Sequence, residues 1–233
     1  MFEIITKPGE YTLADQKKQI GITKEEVVRA LENLVANWRK GDTPYLSLLM
    51  DPEFERHLNE LGFHHVSTIV EHERDVEQLE ELPTHAYITL GNSDYSDAEF
   101  ATIYEACRSG SANKNNLFTI EQIMESLGLE LGEEWRSLAM LFLEGDEVIG
   151  IAIPHIEAGT KDEGRLFYFG IMPKWRSRGK ATPCHGEALR FLKKLGAKHY
   201  VGSTDVANQA MIRVMNNNGA LERDRKGIYR LTR

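Results

Sequence analysis

Arg176, Arg178 and Lys180 crowd around Gly179 in the stretch Ile171–Met172–Pro173–Lys174–Trp175–Arg176–Ser177–Arg178–Gly179–Lys180–Ala181. A glycine turn of this kind aims several backbone N–H groups at one point, and full positive charges beside them suit a phosphate. Two elements must hold the turn in place. The apolar run Leu166–Met172, ended by Pro173, reads as a strand. Beyond the turn, Ala181, Cys184, Ala188, Leu189, Leu192 and Leu195 recur at helical spacing, and Gly196 suits a C-terminal cap. A helix beginning at the turn adds about half a positive charge there.

The spacing decides which phosphates. The dinucleotide pattern G-x-G-x-x-G is absent. The Walker pattern needs four residues between its glycines and a Ser or Thr after Lys, whereas eight residues separate Gly170 from Gly179 and Ala181 follows Lys180. The pattern that fits is V-x-P-x-x-[QR]-x-x-G-x-[GA], carried by Ile171, Pro173, Arg176, Gly179 and Ala181. It resembles the acetyl-CoA loop of the Gcn5-related N-acetyltransferases. A second family pattern follows where it should, on the next strand and helix, with Asn208, Met211, Val214, Met215, Gly219 and Ala220 after the strand-like run 199–203.

The resemblance implies a mixed α/β fold: a mostly antiparallel twisted sheet flanked by helices, preceded by a partial second module of the same kind. It implies acetyl-CoA as co-substrate, bound by Ile171, Met172, Arg176, Ser177, Arg178, Gly179, Lys180, Ala181 and Asn208. The pantetheine arm is expected in a gap between the strand before the loop and the strand at 198–204. A backbone N–H of Ile171 or Met172 would face the thioester oxygen. The implied activity is transfer of an acetyl group to a small amine, a peptide N-terminus or a lysine by direct attack on the thioester. Many relatives carry a proton-donating Tyr where this chain has Met215, which cannot donate. That leaves Tyr168, Ser203, Thr204 or water as the acid, with Glu157 or His155 as a base acting through water. Tyr168 and Glu157 are the catalytic candidates. The plain alternatives are a packed strand aromatic for Tyr168 and an exposed strand end for Glu157 and His155. Read as a whole, the alternative function is a non-catalytic acyl-CoA-binding or scaffold module.

Composition narrows the field further. The chain of 233 residues carries a net charge of −8. Residues 164–233 hold 15 Lys and Arg against four acids, a net of +11, while the first 163 residues carry −19. The basic end suits a polyanionic co-substrate and the acidic remainder a cationic acceptor. No base-reading motif or aromatic platform marks a nucleic-acid binder. Cys107 and Cys184 are too few for a disulfide framework, and neither a signal peptide nor a membrane-spanning run is evident, so a cytoplasmic protein off the membrane is expected, as monomer or homodimer. The histidines show no H-E-x-x-H pattern, and no metal site is expected. Cys184 next to His185 does not make a nucleophile pair, since adjacent helical residues point about 100° apart.

Two domains are expected: residues 1–82, a partial copy without a cofactor loop, and residues 83–233, the catalytic module, with the acid-rich stretch 71–83 as linker. Thr23 with Glu26 predicts a helix start, and the offset of 157 residues places Asn208 on Asp51, Met211 on Phe54, Met215 on Leu58, Gly219 on Gly62 and Ala220 on Phe63. At the same offset Arg176 falls on Gln19, Gly179 on Ile22 and Ala181 on Lys24. A β-branched Ile resists positive φ, so a single cofactor site is expected.

Overall fold

Thr23 and Glu26 form the capping box that their spacing dictates. The Thr23 hydroxyl accepts from the Glu26 N–H at 3.2 Å, and the Glu26 carboxylate accepts from the Thr23 N–H at 2.8 Å. They start α1 (Lys24–Trp38), whose face of Val27, Leu31, Leu34, Val35 and Trp38 is buried. The computed structural model describes residues 1–17, 21–80, 85–113 and 118–233. The chain forms two units, Met1–Val70 with Asp224–Arg233, and Glu71–Arg223.

In the first unit β1 (Phe2–Lys7) and β2 (Tyr11–Gln16) make an antiparallel hairpin. α1 then carries the chain to β3 (Tyr45–Met50), which lies parallel to β2. A short turn and α2 (Glu55–Glu60) follow, closed by Gly62 at φ +91°, and lead to β4 (His64–Asp75). Leu31, Leu46, Leu48, Met50 and Leu58 are fully buried at its core.

The second unit begins with β5 (Tyr87–Thr89), then α3 (Asp97–Arg108), α4 (Ile120–Leu131) and the short α5 (Trp135–Leu138). β6 (Met140–Glu144), β7 (Glu147–Ile156) and β8 (Glu163–Ile171) form an antiparallel meander with β5. The phosphate-type turn leads into α6 (Ala181–Lys194), β9 (His199–Asp205) and α7 (Gln209–Asn217). The strand order here is β4-β9-β8-β7-β6-β5. Period-two alternation gives the sheet two apolar faces. Leu141, Ile151 and Ile153 join Phe100, Tyr104 and Leu127 under α3 and α4. Met140, Phe142 and Ala152 join Cys184 and Ala188 of α6.

The unit boundaries differ from the expected 82/83 division. The acid-rich run is not a linker at its start: β4 continues through Glu71–Asp75, with Glu71 and Glu73 held by Arg223 at 3.2 and 3.4 Å. Residues 81–84, which include Leu82 and Pro83, lie outside the described residues. The last strand, β10 (Leu221–Thr232), pairs antiparallel with β3 and so completes the first unit. A cut at 82/83 therefore removes from the N-terminal piece a strand that its sheet requires.

The 157-residue offset extends through the elements. β4 (64–75) falls on β10 (221–232), and α1 starts at 24 where α6 starts at 181. The helix ends match bond for bond: Gly62 N–H to Asn59 O and Phe63 N–H to Leu58 O, against Gly219 N–H to Asn216 O and Ala220 N–H to Met215 O. Gly62 and Gly219 both take positive φ, +91° and +75°, as this way of ending a helix demands.

Candidate active site

The meander and the last parallel strand create the site by failing to pair fully. β8 and β9 register only at Glu163↔His199 and Gly164↔Tyr200, and no further pairing joins them on the way to the turn. A bulge between β7 and β8 sets Phe167 and Tyr168 opposite the single residue Ile153, bending β8 where the separation opens. A cleft of about 630 Å³ occupies the separation, lined by β8, β9, the 175–182 turn, α7 and residues 110–113.

The turn at the mouth of the cleft is strained and open. Ser177 takes φ +58°, the one non-glycine at positive φ among the described residues, and Gly179 takes φ +73°. Holding a serine there costs about 1–3 kcal/mol, the kind of strain found at ligand clamps. The N–H groups of residues 177–182 meet no backbone acceptor at hydrogen-bonding geometry among the described residues. Lys180 caps α6 without a side-chain hydrogen bond, so the α6 N-terminus keeps its donors. The N-terminus of α1 differs: its Thr23–Glu26 box satisfies it, Ile22 packs on the core, and Lys24 pairs with Glu53. Gln19 lies outside the described residues.

The cations of the turn do different jobs. The Arg176 guanidinium donates to the carbonyls of Ile171 at 3.0 Å, Ser109 at 2.8 Å and Cys107 at 2.8 Å. Its charge sits on the C-terminal carbonyls of α3, where the helix dipole favours a cation. Arg176 is therefore a clamp between α3 and the end of β8 rather than the free phosphate ligand its position suggested. Lys180 pairs with Glu144 at 2.7 Å, and Lys174 pairs with Glu147. Arg178 is exposed, 5.4 Å from the Trp175 ring, and forms no ion pair with the described residues.

Of the expected residues, the cleft brings together Tyr168, Ile171, Arg176, Ser177, Gly179, Lys180, Ala181 and Asn208. Met172, Arg178 and Glu157 do not line it. The Met172 N–H is spent on the Ile149 carbonyl at 2.8 Å, so by strand alternation the Ile171 N–H faces the open side. Glu157 lies past the end of β7, its N–H bonded to the Glu163 carbonyl and its carboxylate 3.4 Å from His155 Nε2 and 3.5 Å from Arg165 Nε. Glu163 stands five residues before Tyr168, roughly 17 Å along a strand, so Glu157 and Tyr168 do not form one constellation. Asn208 caps α7 by accepting from the Met211 N–H at 3.2 Å. Its amide also donates to Thr204 Oγ1 at 3.2 Å and to Asn113 Oδ1 at 3.1 Å.

The tyrosines take opposite faces. Tyr168 stacks on Tyr104 of α3 at 4.2 Å, and its hydroxyl finds no hydrogen-bond partner among the described residues. Burial raises its pKa and keeps it protonated. Tyr200 lies on the α6 side, its hydroxyl 3.1 Å from His185 Nε2. Sequence reasoning missed Tyr200 and His185. For Tyr200 the signal was the Tyr200-x-Gly202 spacing: a Cβ at Gly202 would sit 2.0 Å from the Tyr200 hydroxyl, so glycine there lets the ring lie along the strand. Burial pushes the Cys107 and Cys184 thiols up to about 12, which rules both out as nucleophiles at neutral pH. Among the described residues no His, Cys, Asp and Glu group could hold a metal ion, and no helix is long and apolar enough to cross a membrane.

Burial lowers the pKa of His185 to about 3. Above the unfolded value of about 6.5 both states are neutral; below it only the unfolded chain takes the proton. Stability is therefore expected to fall as pH drops from 6.5 towards 3, by up to about 1.4 kcal/mol per pH unit from this residue. Denaturant titrations at pH 7, 6, 5 and 4 should show a shallower decline for His185→Gln, and identical slopes would refute the assignment.

Comparison with known proteins agrees with this architecture. The model of the acetyltransferase (GNAT) family matches residues 99–220. A GCN5-related N-acetyltransferase from Sphaerobacter thermophilus superposes with a TM-score of 0.69 at 17% identity, covering 99% of this chain and 76% of that one. A tandem GNAT protein from the clavulanic acid biosynthesis pathway gives 0.61 at 12%, covering 99% and 78%. A GCN5-related N-acetyltransferase from Kribbella flavida gives 0.59 at 14%, covering 94% and 80%. No curated protein matches the chain. With the family model spanning more than half of its residues, on a fold shared across almost its full length, the chain belongs to the acetyltransferase (GNAT) family.

Proposed function

We propose that the protein transfers an acetyl group from acetyl-CoA to a primary amine by direct attack on the thioester. The observation that carries this reading is the separation of β8 from β9 directly below a turn whose amides are unspent. The pyrophosphate would take the N–H groups of residues 177–182, helped by the α6 dipole and Arg178. The pantetheine arm would run between the strands, where Ile171 offers an N–H on the open side. The reaction needs proximity and two proton movements, one off the ammonium and one onto the departing sulfur.

The acyl donor would enter from the α6 and α7 side, where the turn lies, and the amine from the α3 and α4 side. Tyr168 is then beside the incoming amine, and Glu157 serves the ion pairs at the far end of β8. The N-terminal unit is read as a degenerate copy of the same fold that binds no cofactor. The matched helix ends support this, as do Ile22 and Lys24 at the positions of Gly179 and Ala181.

Thiol release from acetyl-CoA, followed with a panel of small amines and peptides, tests the activity. At least one amine is expected to accelerate release ~10-fold or more over buffer. Tight acetyl-CoA binding with no amine-dependent release would favour the non-catalytic reading, which Met215 at the usual acid position supports.

A further inference from the structure

We propose that Tyr200 is the proton donor to the departing thiolate, held in a donating orientation by a one-way hydrogen-bond chain from Asn218 through His185. The inference rests on the reading that the cleft takes acetyl-CoA.

The direction of the chain follows from its first member. The Asn218 side-chain nitrogen lies 3.0 Å from the Thr182 carbonyl, 3.1 Å from the Val214 carbonyl and 3.1 Å from His185 Nδ1. Two carbonyls can face only a donor, so the amide cannot be flipped; its two N–H protons are shared among the three neighbours, and because an amide nitrogen accepts nothing, His185 Nδ1 carries no proton. The ring is fully buried beneath Phe169 and Tyr200 and is neutral, so its single proton is on Nε2. Nε2–H therefore donates to the Tyr200 hydroxyl at 3.1 Å. That oxygen has its accepting side occupied, and its own proton is left for another acceptor. Tyr200 lines the cleft at the point where β8 and β9 part.

Its location answers the loss at Met215. A Cβ built on Gly202 would meet both the Tyr200 hydroxyl and Met215 Sδ, at 2.0 and 3.1 Å, so phenol and thioether share one spot above β9. The hydroxyl that relatives bring from the helix is supplied here from the strand. The other strand hydroxyls are committed: Thr204 donates to Asn113 Oδ1 at 3.0 Å and Ser203 to Glu71 Oε1 at 3.1 Å. Tyr168 lies on the opposite face, against Tyr104.

The step balances. The neutral amine nitrogen bonds to the acetyl carbon and gives up one N–H proton to water, the C–S bond breaks with its electron pair going to sulfur, and the Tyr200 O–H proton passes to that sulfur to give the free thiol. The phenolate left behind accepts the His185 Nε2–H bond until a proton returns from solvent, so the same chain that aims the acid stabilises its conjugate base. His185 and Asn218 are positioning residues.

The test uses the full chain and Tyr200→Phe, which keeps the ring and its packing. Calorimetry with acetyl-CoA, CoA and desulfo-CoA is paired with steady-state thiol release on the best amine. Expected are acetyl-CoA affinity within a few-fold of wild type, kcat lower by roughly 10²-fold with KM little changed, and loss of the preference for CoA over desulfo-CoA. Asn218→Leu should lower kcat in the same sense, by a smaller factor, without changing KM. If Tyr200→Phe does not fold, 3-fluorotyrosine at position 200 keeps the ring and, being the stronger acid, should move the alkaline limb of the kcat profile to lower pH. An unmoved limb, or Tyr200→Phe with wild-type kcat and an intact preference for CoA, overturns the proposal. A wild-type protein that binds neither acetyl-CoA nor CoA defeats the underlying reading in its own arm, and the proposal with it.

Discussion

Gly179→Val is expected to lower acetyl-CoA affinity by at least ~10²-fold, about 2.7 kcal/mol, while leaving a folded protein. Gly179 takes φ +73°, and a Cβ there would meet nothing within 4 Å of the protein itself. The substitution therefore causes no internal clash. Its cost to the fold is that of a β-branched residue at positive φ, about 1–2 kcal/mol, and the exposed turn can relieve this by rearranging. Rearrangement would re-aim the N–H groups proposed to hold the pyrophosphate, and the isopropyl group would occupy the open side of the turn. A thermal midpoint lower by only a few degrees should accompany the lost calorimetric signal. Gly179→Ala shares the φ penalty with far less bulk and should lose less affinity. Wild-type affinity in the valine variant would end the assignment of the turn to phosphate binding.

The turn, the strand before it and the helix after it were legible because each rests on local signals. Pro173 stops a strand, Gly179 permits positive φ, and Asn208 caps a helix whatever lies around it. What stayed hidden depends on partners distant in sequence. Arg176 looked like a phosphate ligand because three cations cluster in the turn, but its partners Cys107 and Ser109 stand nearly seventy residues away. The run at Glu71 looked like a linker because its acids suggest solvent, yet Arg165 and Arg223 neutralise Glu71 within the sheet. Tyr200 and His185 carry no periodic signature; only the packing of α6 on β9 reveals that they touch. The swap of expected partners at the chain's end, with β10 completing the first unit, is a fact of topology that no local pattern encodes.

Arg176→Ala is expected to destabilise the protein by about 3 kcal/mol, because it removes a charged donor from three backbone carbonyls and leaves two of them at the α3 terminus without their cation. For a chain of this size the thermal midpoint should fall by roughly 6–12 °C. Arg176→Lys should recover only part of this, since one ammonium cannot reproduce the fork that reaches Ile171, Ser109 and Cys107 together. Acetyl-CoA binding should weaken as well, through loosening of the β8 end that precedes the turn. That indirect route makes a distinct forecast. The salt dependence of affinity in Arg176→Ala should match wild type, because no phosphate contact has been lost. Arg178→Ala is the converse case: its guanidinium is exposed and in no ion pair with the described residues, so the midpoint should hold while affinity falls and its salt dependence flattens. Melting curves and calorimetry at two salt concentrations separate the two cations. If Arg176→Ala keeps its midpoint and loses salt dependence, Arg176 is a phosphate ligand and the clamp reading is wrong.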